Sequence, residues 1–423
     1  MFNDFNFHMS RRRFAQTYAI GAGTLLKMPL LSESVHAAQD MKIVKIEASR
    51  DITWQGNSLG WLWVRLTTDT GLTGLGETYV FPNAGYGFMQ DIAPRLIGRD
   101  PLDIEKLFDD QLLGFWSGWG GTNINVLSAI NLAQWDLLGK TADLPIWRLL
   151  GGRSRSPLLL YNTLSDSKLR LVNGWPVGPN IEKITRFLMD QGLTAMKIVP
   201  YDLLANKHNG QYISPVDLDA GLDWVRRIRD TAGDDMDIAI EGHGRWNLPC
   251  SAKIAKSLEP YNVMWIEDML RQYNPAAYQS LAAETEIPVC VSERLHTTLQ
   301  FRELMELRAA DVVMFDIEWC GGITEGKKIA DLANTYYLPF ATHNAGGPML
   351  FLSSMHLGTA CTNTMITESM YPYYTNIFPY FIEDYPAPEN GTVRPPETPG
   401  LGVTLRKEPF EKGDLKFDVL AEV

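Results

Sequence analysis

Three glutamates recur at a fixed interval in the middle of this sequence. Glu241, Glu267 and Glu293 end the short runs IAIE, MWIE and VCVSE, and 26 residues separate each from the next. An ionisable side chain at the end of a buried run is costly unless a partner compensates it. Any one of them could lie in a solvated turn, but three in phase indicate a shared site. Three carboxylates that converge need a cation, and an all-oxygen ligand set favours a hard divalent ion such as Mg2+.

Other ionisable residues close further apolar runs of the same kind. Lys197 ends AMK, Asp316 ends VVMFD, His343 ends FATH and Glu368 ends MITE. Asp316 and His343 are 27 residues apart, again one repeat, so we expect a carboxylate that orients an imidazole for general-base catalysis. Alone, His343 could be a core histidine and Lys197 a cation that reaches the surface. Beside a carboxylate cluster, both become candidate catalytic residues.

The common interval requires elements that repeat along the chain. After Gly151 and Gly152, short β-rich runs alternate with helical stretches. Eight such units predict an α/β fold, a (β/α)8 or TIM-type barrel whose strands all open their carboxyl ends onto one face. An open doubly wound sheet is the alternative, but no GxGxxG motif follows any strand. The predicted strands are 158–163, 195–199, 238–241, 263–267, 288–293, 312–316, 338–343 and 364–368.

The rest of the chain divides into segments of different pattern. Residues 41–155 predict an α+β capping domain, because alternating runs such as LGWLWVRLTTDTGLTGLGET precede helical spacing over 88–151. Residues 156–370 carry the predicted barrel. Residues 371–423 contain the aromatic run YPYYTNIFPYF, for which we predict packing on the capping domain, with a role in assembly as the alternative.

The first forty residues resemble an export signal. Arg11 and Arg12 follow Ser10, an apolar stretch covers 18–26, and VHA ends at Ala37. This pattern is similar to a twin-arginine signal and predicts a periplasmic protein. A basic extension on a cytoplasmic protein is the alternative. Lys27 interrupts the apolar stretch, so we predict no membrane span.

Composition excludes several classes of protein. The chain of 423 residues has a net charge of -12 and no basic stripe that could follow phosphates, so we expect no nucleic-acid partner. Its hydrophobic fraction of 45% suits a large buried core. The cysteines are widely spaced without a metal-binding or disulfide pattern, and we predict that all of them are core residues: Cys250, Cys290, Cys320 and Cys361.

The ordered motifs together resemble the mandelate racemase and muconate lactonizing enzyme branch of the enolase superfamily, and most of all its acid-sugar dehydratases. They are GLGE, AINLAQWDLLGKTADLPIWRLLGG, EGHGR, WIED, SERL, DIEWCGGITEGKK and THNAGGP. The resemblance covers nearly all of the chain after the leader. It implies a modified TIM barrel, a small-molecule sugar acid as substrate, and a Lys or His base with Mg2+. We also expect a homo-oligomer.

The resemblance assigns roles to individual residues. It implies that Glu241, Glu267 and Glu293 hold Mg2+, and that Asp316 and His343 form the base. It further implies that His243 is the general acid. The first metal ligand is Glu where many relatives have Asp. Lys197 and Glu368 are expected to stabilise the enediolate, and Arg245 and Trp246 to contact sugar hydroxyls, with an ordinary surface turn as the alternative for the last two.

The expected reaction follows from which proton-transfer groups are present. Val199 occupies the position where racemases of this family place a second lysine, so a base on that face of the α-carbon is missing. Elimination needs one base and one acid, which favours dehydration. The alternatives are an epimerase or cycloisomerase of a sugar acid, and a binding protein without turnover. We expect substrate specificity to lie in the capping loops 51–58 and 80–88.

Overall fold

The computed structural model describes residues 41–114 and 120–423, in which an antiparallel sheet precedes a closed parallel barrel. The predicted export signal lies outside the described residues. No helix in the described part of the chain is both long and apolar enough to span a bilayer.

The first described segment forms a twisted antiparallel sheet with helices on one face. Along WLWVRLTT, Leu62, Val64 and Leu66 occupy every second position and pack in one core cluster with residues of the helices. Gly76 lets the long third helix approach closely, since a Cβ at this position would lie 1.8 Å from the carbonyl oxygen of Ala129. The elements are β1 (Ile43–Ser49), β2 (Thr53–Trp54), β3 (Asn57–Ser58), β4 (Trp61–Thr68), β5 (Thr73–Tyr79), α1 (Pro82–Leu96), α2 (Ile104–Gly114), α3 (Thr122–Ala142) and α4 (Ile146–Leu149).

Eight parallel strands follow, and the eighth pairs with the first to close the barrel. The strands are β6 (Leu158–Thr163), β7 (Ala195–Ile198), β8 (Asp237–Glu241), β9 (Trp265–Glu267), β10 (Val289–Val291), β11 (Val312–Asp316), β12 (Phe340–His343) and β13 (Thr364–Ser369). The helices are α5 (Ile181–Asp190), α6 (Asp202–Ala205), α7 (Pro215–Ala232), α8 (Leu248–Leu258), α9 (Pro275–Ala282), α10 (Thr297–Glu306), α11 (Ile317–Cys320), α12 (Gly322–Thr335) and α13 (Pro348–Ala360).

This topology confirms the predicted barrel with a capping sheet and excludes the open doubly wound sheet. All eight predicted strands are present, and their ends differ by up to two residues. The largest change that matters for the site is at β10, which ends at Val291, so that Glu293 lies two residues beyond the strand. The core cysteines are confirmed, since all four are buried and free.

The C-terminal segment returns to the capping sheet. Its elements are α14 (Phe378–Phe381), β14 (Thr392–Val393), α15 (Glu408–Lys412) and β15 (Asp418–Glu422). β15 pairs antiparallel with β1, which makes it the edge strand of the capping sheet. In the aromatic run, Phe378 and Phe381 pack on Trp61 with ring centroids 6.1 and 6.0 Å away. The run therefore contacts the capping sheet through these rings.

Candidate metal and acid–base centre

Strand register brings the three glutamates together at the carboxyl end of the barrel. Glu241 and Glu267 are direct neighbours in the pairing of β8 with β9. Glu293 approaches from the turn after β10. One carboxylate oxygen from each lies within 4.8 Å of the others, and all three side chains are buried. Such a cluster could hold a divalent metal ion.

The chemistry of these oxygens fits a cation. One oxygen of Glu241 and one of Glu293, Oε2 in each case, are buried and accept no well-aligned hydrogen bond, although Nζ of Lys197 and Nε2 of His343 lie 3.3 and 2.9 Å away from them respectively. Burial and the charge of Glu241 raise the pKa of Glu267 well above its ordinary value. Three crowded, buried carboxylates carry more negative charge than one lysine compensates, and a divalent ion would supply the rest.

Lys197 is the nearest positive charge to this cluster. Its ammonium Nζ lies 2.6 Å from Glu267 and 3.3 Å from Glu241. On the other side it is 3.2 Å from Glu368, the last strand-end carboxylate. Burial opposes the charge on Lys197, but Glu267 and Glu368 outweigh it and hold its pKa well above the ordinary value. Lys197 is therefore a fixed cation between three carboxylates and cannot readily release its proton.

Glu368 links this cation to the histidine of the neighbouring strand. Its Oε1 accepts a hydrogen bond from the hydroxyl of Thr163, and its Oε2 accepts one of 2.9 Å from the backbone of Asn344. The same Oε2 lies 3.6 Å from Nε2 of His343. The carboxylate is therefore held in place by donors on both sides.

His343 and Asp316 meet as the spacing predicts. The pairing of β11 with β12 puts them side by side, and Nδ1 of His343 lies 2.7 Å from Oδ2 of Asp316. Nε2 faces the cluster of three glutamates and lies 2.9 Å from Oε2 of Glu293. Burial lowers the pKa of His343, but Glu293 and Glu368 outweigh it and raise the pKa well above the ordinary value. Asp316 thus fixes the ring so that Nε2 points into the site.

Sequence reasoning missed a tyrosine at this dyad. The hydroxyl of Tyr79, at the end of β5, donates a 2.6 Å hydrogen bond to Oδ2 of Asp316 and lies 3.2 Å from Nδ1 of His343. Its ring stacks on Trp319 at 4.7 Å. The capping sheet therefore reaches into the barrel site. The only sequence signal is that Tyr79 closes a strand, three residues after the start of GETY.

His243 lies on the other side of the cluster and is paired differently. Its backbone N–H donates to Glu241 at 2.6 Å, and its Nδ1 lies 2.6 Å from Asp202. The side chain is 35% exposed. Burial lowers the pKa of His243, but Glu241 and Asp202 outweigh it and raise the pKa to about 9. The side chain of His243 is therefore protonated at neutral pH, and it faces an opening.

The opening is a cavity of about 640 Å3 above β7 to β10. His243 and Arg245 line it, together with two arginines that sequence reasoning did not identify, Arg271 and Arg294. Arg294 follows a predicted ligand directly, which is a signal that could have found it. Its guanidinium donates to the carbonyl oxygen of His243 at 2.9 Å and lies 3.2 Å from Glu293. The wall of this cavity is thus rich in positive charge.

The structure places the two predicted substrate contacts apart. Arg245 lines the cavity and pairs with Asp202 at 3.3 Å. Trp246 does not line it, because its backbone N–H bonds the carbonyl oxygen of Met269 and its side chain turns into the core, where it is 4% exposed. Trp246 is therefore a buried residue and not part of an exposed turn, and its contact with sugar hydroxyls stays a prediction.

Asp268 is a further buried carboxyl that the sequence did not single out. It follows Glu267 directly and accepts a 2.7 Å hydrogen bond from the hydroxyl of Ser292. Burial and the nearby charge of Glu241 raise its pKa to about 7. Because Ser292 precedes Glu293, this bond fixes the turn that carries the third glutamate.

Fold and site together define a class: a (β/α)8 barrel with a capping sheet, a carboxylate cluster at the strand ends and a buried His–Asp pair. The chain belongs to the mandelate racemase and muconate lactonizing enzyme family of the enolase superfamily. Residues 53–151 match the model of its N-terminal domain, and residues 181–409 match that of the enolase C-terminal domain-like family. The family predicted from the sequence motifs is confirmed.

Relatives of this chain include named dehydratases. It is 30% identical over 370 residues to D-xylonate dehydratase of Haloferax volcanii, covering 85% of this chain and 87% of that protein. It is 27% identical over 360 residues to D-galactonate dehydratase of Cronobacter sakazakii, covering 82% and 89%. A solved enolase of the mandelate racemase subgroup from Agrobacterium tumefaciens has a TM-score of 0.81 and 36% identity, covering 90% of this chain and 100% of that one. These names agree with the predicted carbon–oxygen lyase.

Proposed function

We propose that this protein is a Mg2+-dependent dehydratase of a sugar acid. The observation that carries the proposal is the position of His343, whose Nε2 lies 2.9 Å from Glu293 of the three-carboxylate cluster. A base at this distance reaches the α-carbon of an acid whose carboxylate binds at the cluster. Mg2+ held by Glu241, Glu267 and Glu293 would supply positive charge where negative charge develops on the substrate carboxylate.

The α-proton passes to Nε2 of His343. Nδ1–H is engaged with Asp316, so Nε2 carries the lone pair when the ring is neutral, and Asp316 stabilises the imidazolium that forms. Without a metal ion, Glu293 favours the protonated ring, and Mg2+ held by this glutamate would offset that effect and favour the neutral ring. The electron pair left behind makes an enediolate. Lys197 is a buried cation beside this volume, and Glu368 holds it in place at 3.2 Å. The enediolate is therefore formed next to fixed positive charge.

His243 assists departure of the β-hydroxyl. It is protonated at neutral pH, since its pKa is raised to about 9 by Glu241 and Asp202 against the effect of burial. The enediolate electrons form the new double bond as the C–O bond breaks, and the proton of His243 goes to the leaving hydroxide as water. Arg245 lines the same cavity and is our candidate contact for the distal hydroxyls.

The proton-transfer groups of this site favour dehydration over the other reactions of the family. Val199 leaves no second base at the end of β7, whereas His343 and His243 provide one base and one acid. The names of the two curated relatives support the same choice. An epimerase or cycloisomerase of a sugar acid is the second candidate, and its product would retain every oxygen atom.

The test is a screen of aldonates and uronates with the purified protein. We expect one acid to lose water and yield a 2-keto-3-deoxy product, EDTA to abolish the reaction, and Mg2+ to restore it. Mass spectrometry distinguishes the outcomes. Loss of 18 mass units supports dehydration, and a product of unchanged mass supports an epimerase or cycloisomerase. A protein that binds acids without turnover would contradict both.

We further propose export through the twin-arginine route, which carries folded proteins. Arg11 and Arg12 support it. Changing both to Lys should retain the protein in the cytoplasm. The same periplasmic yield from that variant and the parent would instead favour a basic extension without export function.

A further inference from the structure

We propose that Tyr79 is a positioning residue for the His343–Asp316 pair, so that a residue of the capping sheet helps to orient the general base of the barrel. This inference deepens the proposed function and rests on it. It assigns a role to a hydrogen bond between a strand of the capping sheet and a barrel strand 237 residues further along the chain.

The geometry makes Tyr79 a donor to Asp316. The carboxylate accepts three hydrogen bonds: from the Tyr79 hydroxyl at 2.6 Å, from Nδ1–H of His343 at 2.7 Å, and from the backbone N–H of Glu318 at 2.8 Å. Two of these share Oδ2. The hydroxyl also lies 3.2 Å from Nδ1 of His343, so the two donors and the shared Oδ2 form a triangle. The hydroxyl therefore fixes the acceptor that orients the imidazole.

Tyr79 is held rigidly enough to act in this way. Its side chain is 5% exposed, and its ring stacks on Trp319. The hydroxyl of the preceding Thr78 also donates to the carbonyl oxygen of Glu318, at 3.4 Å. Burial and the charge of Asp316 raise the pKa of Tyr79 well above its ordinary value, so that its hydroxyl stays protonated. A fixed donor costs no reorganisation when the imidazolium forms.

The surroundings of Asp316 explain why an added donor matters. Two other buried carboxyl groups, Glu318 and Glu77, lie in the same region, and both oxygens of Glu318 lack a hydrogen bond. Burial raises the pKa of Asp316. An aspartate must be ionised to stabilise an imidazolium, and hydrogen bonds to the charged form favour ionisation. Tyr79 supplies one such bond, which lowers the pKa of Asp316 against the effect of burial.

Tyr79→Phe tests the inference, because it removes the hydroxyl and keeps the stacked ring. The matched control is Tyr86→Phe, which removes a capping-region tyrosine hydroxyl that bonds an aspartate elsewhere, Asp418 at 3.3 Å. The first readout is the downfield proton resonance of Nδ1–H of His343 in the Mg2+-loaded protein, identified by its loss in His343→Asn. We expect Tyr79→Phe to shift this resonance and Tyr86→Phe to leave it unchanged.

The second readout is steady-state kinetics on the substrate found in the screen. A residue that orients the base should change kcat rather than binding, so we expect Tyr79→Phe to lower kcat roughly 10- to 100-fold and change KM by less than about 2-fold. An unchanged resonance, or equal shifts in both variants, would overturn the role of Tyr79. A shift in Tyr79→Phe alone, with no acid dehydrated by the parent, would retain the positioning role and refute the dehydratase.

Discussion

The two ends of the barrel interior differ sharply, although the same strands build both. At the carboxyl end the inward side chains are ionisable: Lys197, Glu241, Glu267, Asp316, His343 and Glu368. Two residues earlier on each strand the inward side chains are apolar and form one cluster: Ala195, Ala239, Trp265, Met314, Ala341 and Ile366. Every second residue of a strand points to the same face, so neighbouring inward positions are two residues apart. Along these strands, one such position belongs to the apolar core and the next belongs to the candidate site.

This contrast indicates how the molecule separates stability from chemistry. The six apolar residues named above leave no side-chain polar atom without a hydrogen bond, whereas in the ionisable layer Oε2 of Glu241 lacks a well-aligned one, as does Oε2 of the neighbouring Glu293. Well-packed apolar layers stabilise a fold, and buried charges are retained at a cost where function requires them. We therefore expect substitutions in the two layers to act on different properties.

The largest effect is expected from neutralising one carboxylate of the ionisable layer. Glu267→Gln should reduce Mg2+ affinity and activity by 10²-fold or more, because it removes a charge from the candidate ligand set. In EDTA its thermal midpoint should change little, since Gln keeps the size of the side chain and relieves the repulsion with Glu241 that helps to raise the pKa of Glu267. Calorimetric Mg2+ titration and thermal unfolding measure the two effects. Exposed Glu284→Gln is the control, and undiminished metal binding by Glu267→Gln would exclude it from the ligand set.

A substitution in the apolar layer should lower stability and leave activity nearly unchanged. Met314 lies two residues before Asp316 on β11 and is fully buried. Met314→Ala should lower the free energy of unfolding by about 2–5 kcal/mol through lost contacts and a cavity. The kcat of the folded fraction should stay within a few-fold of the parent. Urea unfolding gives the first quantity. A loss of kcat as large as that of Glu267→Gln would show that the layers are not separable.

A smaller, pH-dependent effect is expected from a buried polar residue outside both layers. Burial lowers the pKa of His356 from its ordinary value to about 4. Its Nδ1 accepts a hydrogen bond from the backbone N–H of Trp147, and its Nε2 lies 3.3 Å from the carbonyl oxygen of Leu401. A histidine whose folded pKa is depressed contributes stability that is complete above the unfolded pKa and is lost as pH falls toward the folded one. We expect a loss of roughly 3 kcal/mol between pH 7 and 4 from this residue.

His356→Gln cannot titrate and provides the comparison. Unfolding free energies of parent and variant, measured by urea at pH 7, 6, 5 and 4, should differ most at pH 7 and converge as the pH falls. A constant difference across this range would mean that His356 is not the titrating group.

The sequence predicted the parts of the site that follow from periodicity. Glu241, Glu267 and Glu293 could be located because each closes one βα unit, and the register of a parallel barrel then brings them together. The confirmed barrel follows from the same repeat. In contrast, Tyr79 was missed, because its contact joins a capping strand to a barrel strand and no local pattern encodes such a distance along the chain.

Side-chain direction within turns was the other limit. Arg245 and Trp246 are adjacent in sequence, yet one lines the cavity and the other is buried. The turn after β8 decides this through the backbone hydrogen bond from Trp246 to Met269, which hydrophobic spacing does not report. The candidate metal ligands could therefore be predicted from the strand ends, whereas the side-chain directions in the short loops could not.

Exchange of the α-proton with solvent tests the central claim most directly, because it reports proton abstraction by His343 separately from loss of water. In D2O the parent protein with Mg2+ should place deuterium at the α-carbon of the substrate or of a slowly reacting acid. His343→Asn should lose both exchange and dehydration by 10²-fold or more, whereas His243→Asn should slow dehydration and retain exchange. If His343→Asn exchanged the α-proton at the parental rate while His243→Asn did not, His243 would be the base and the account given for His343 would be wrong.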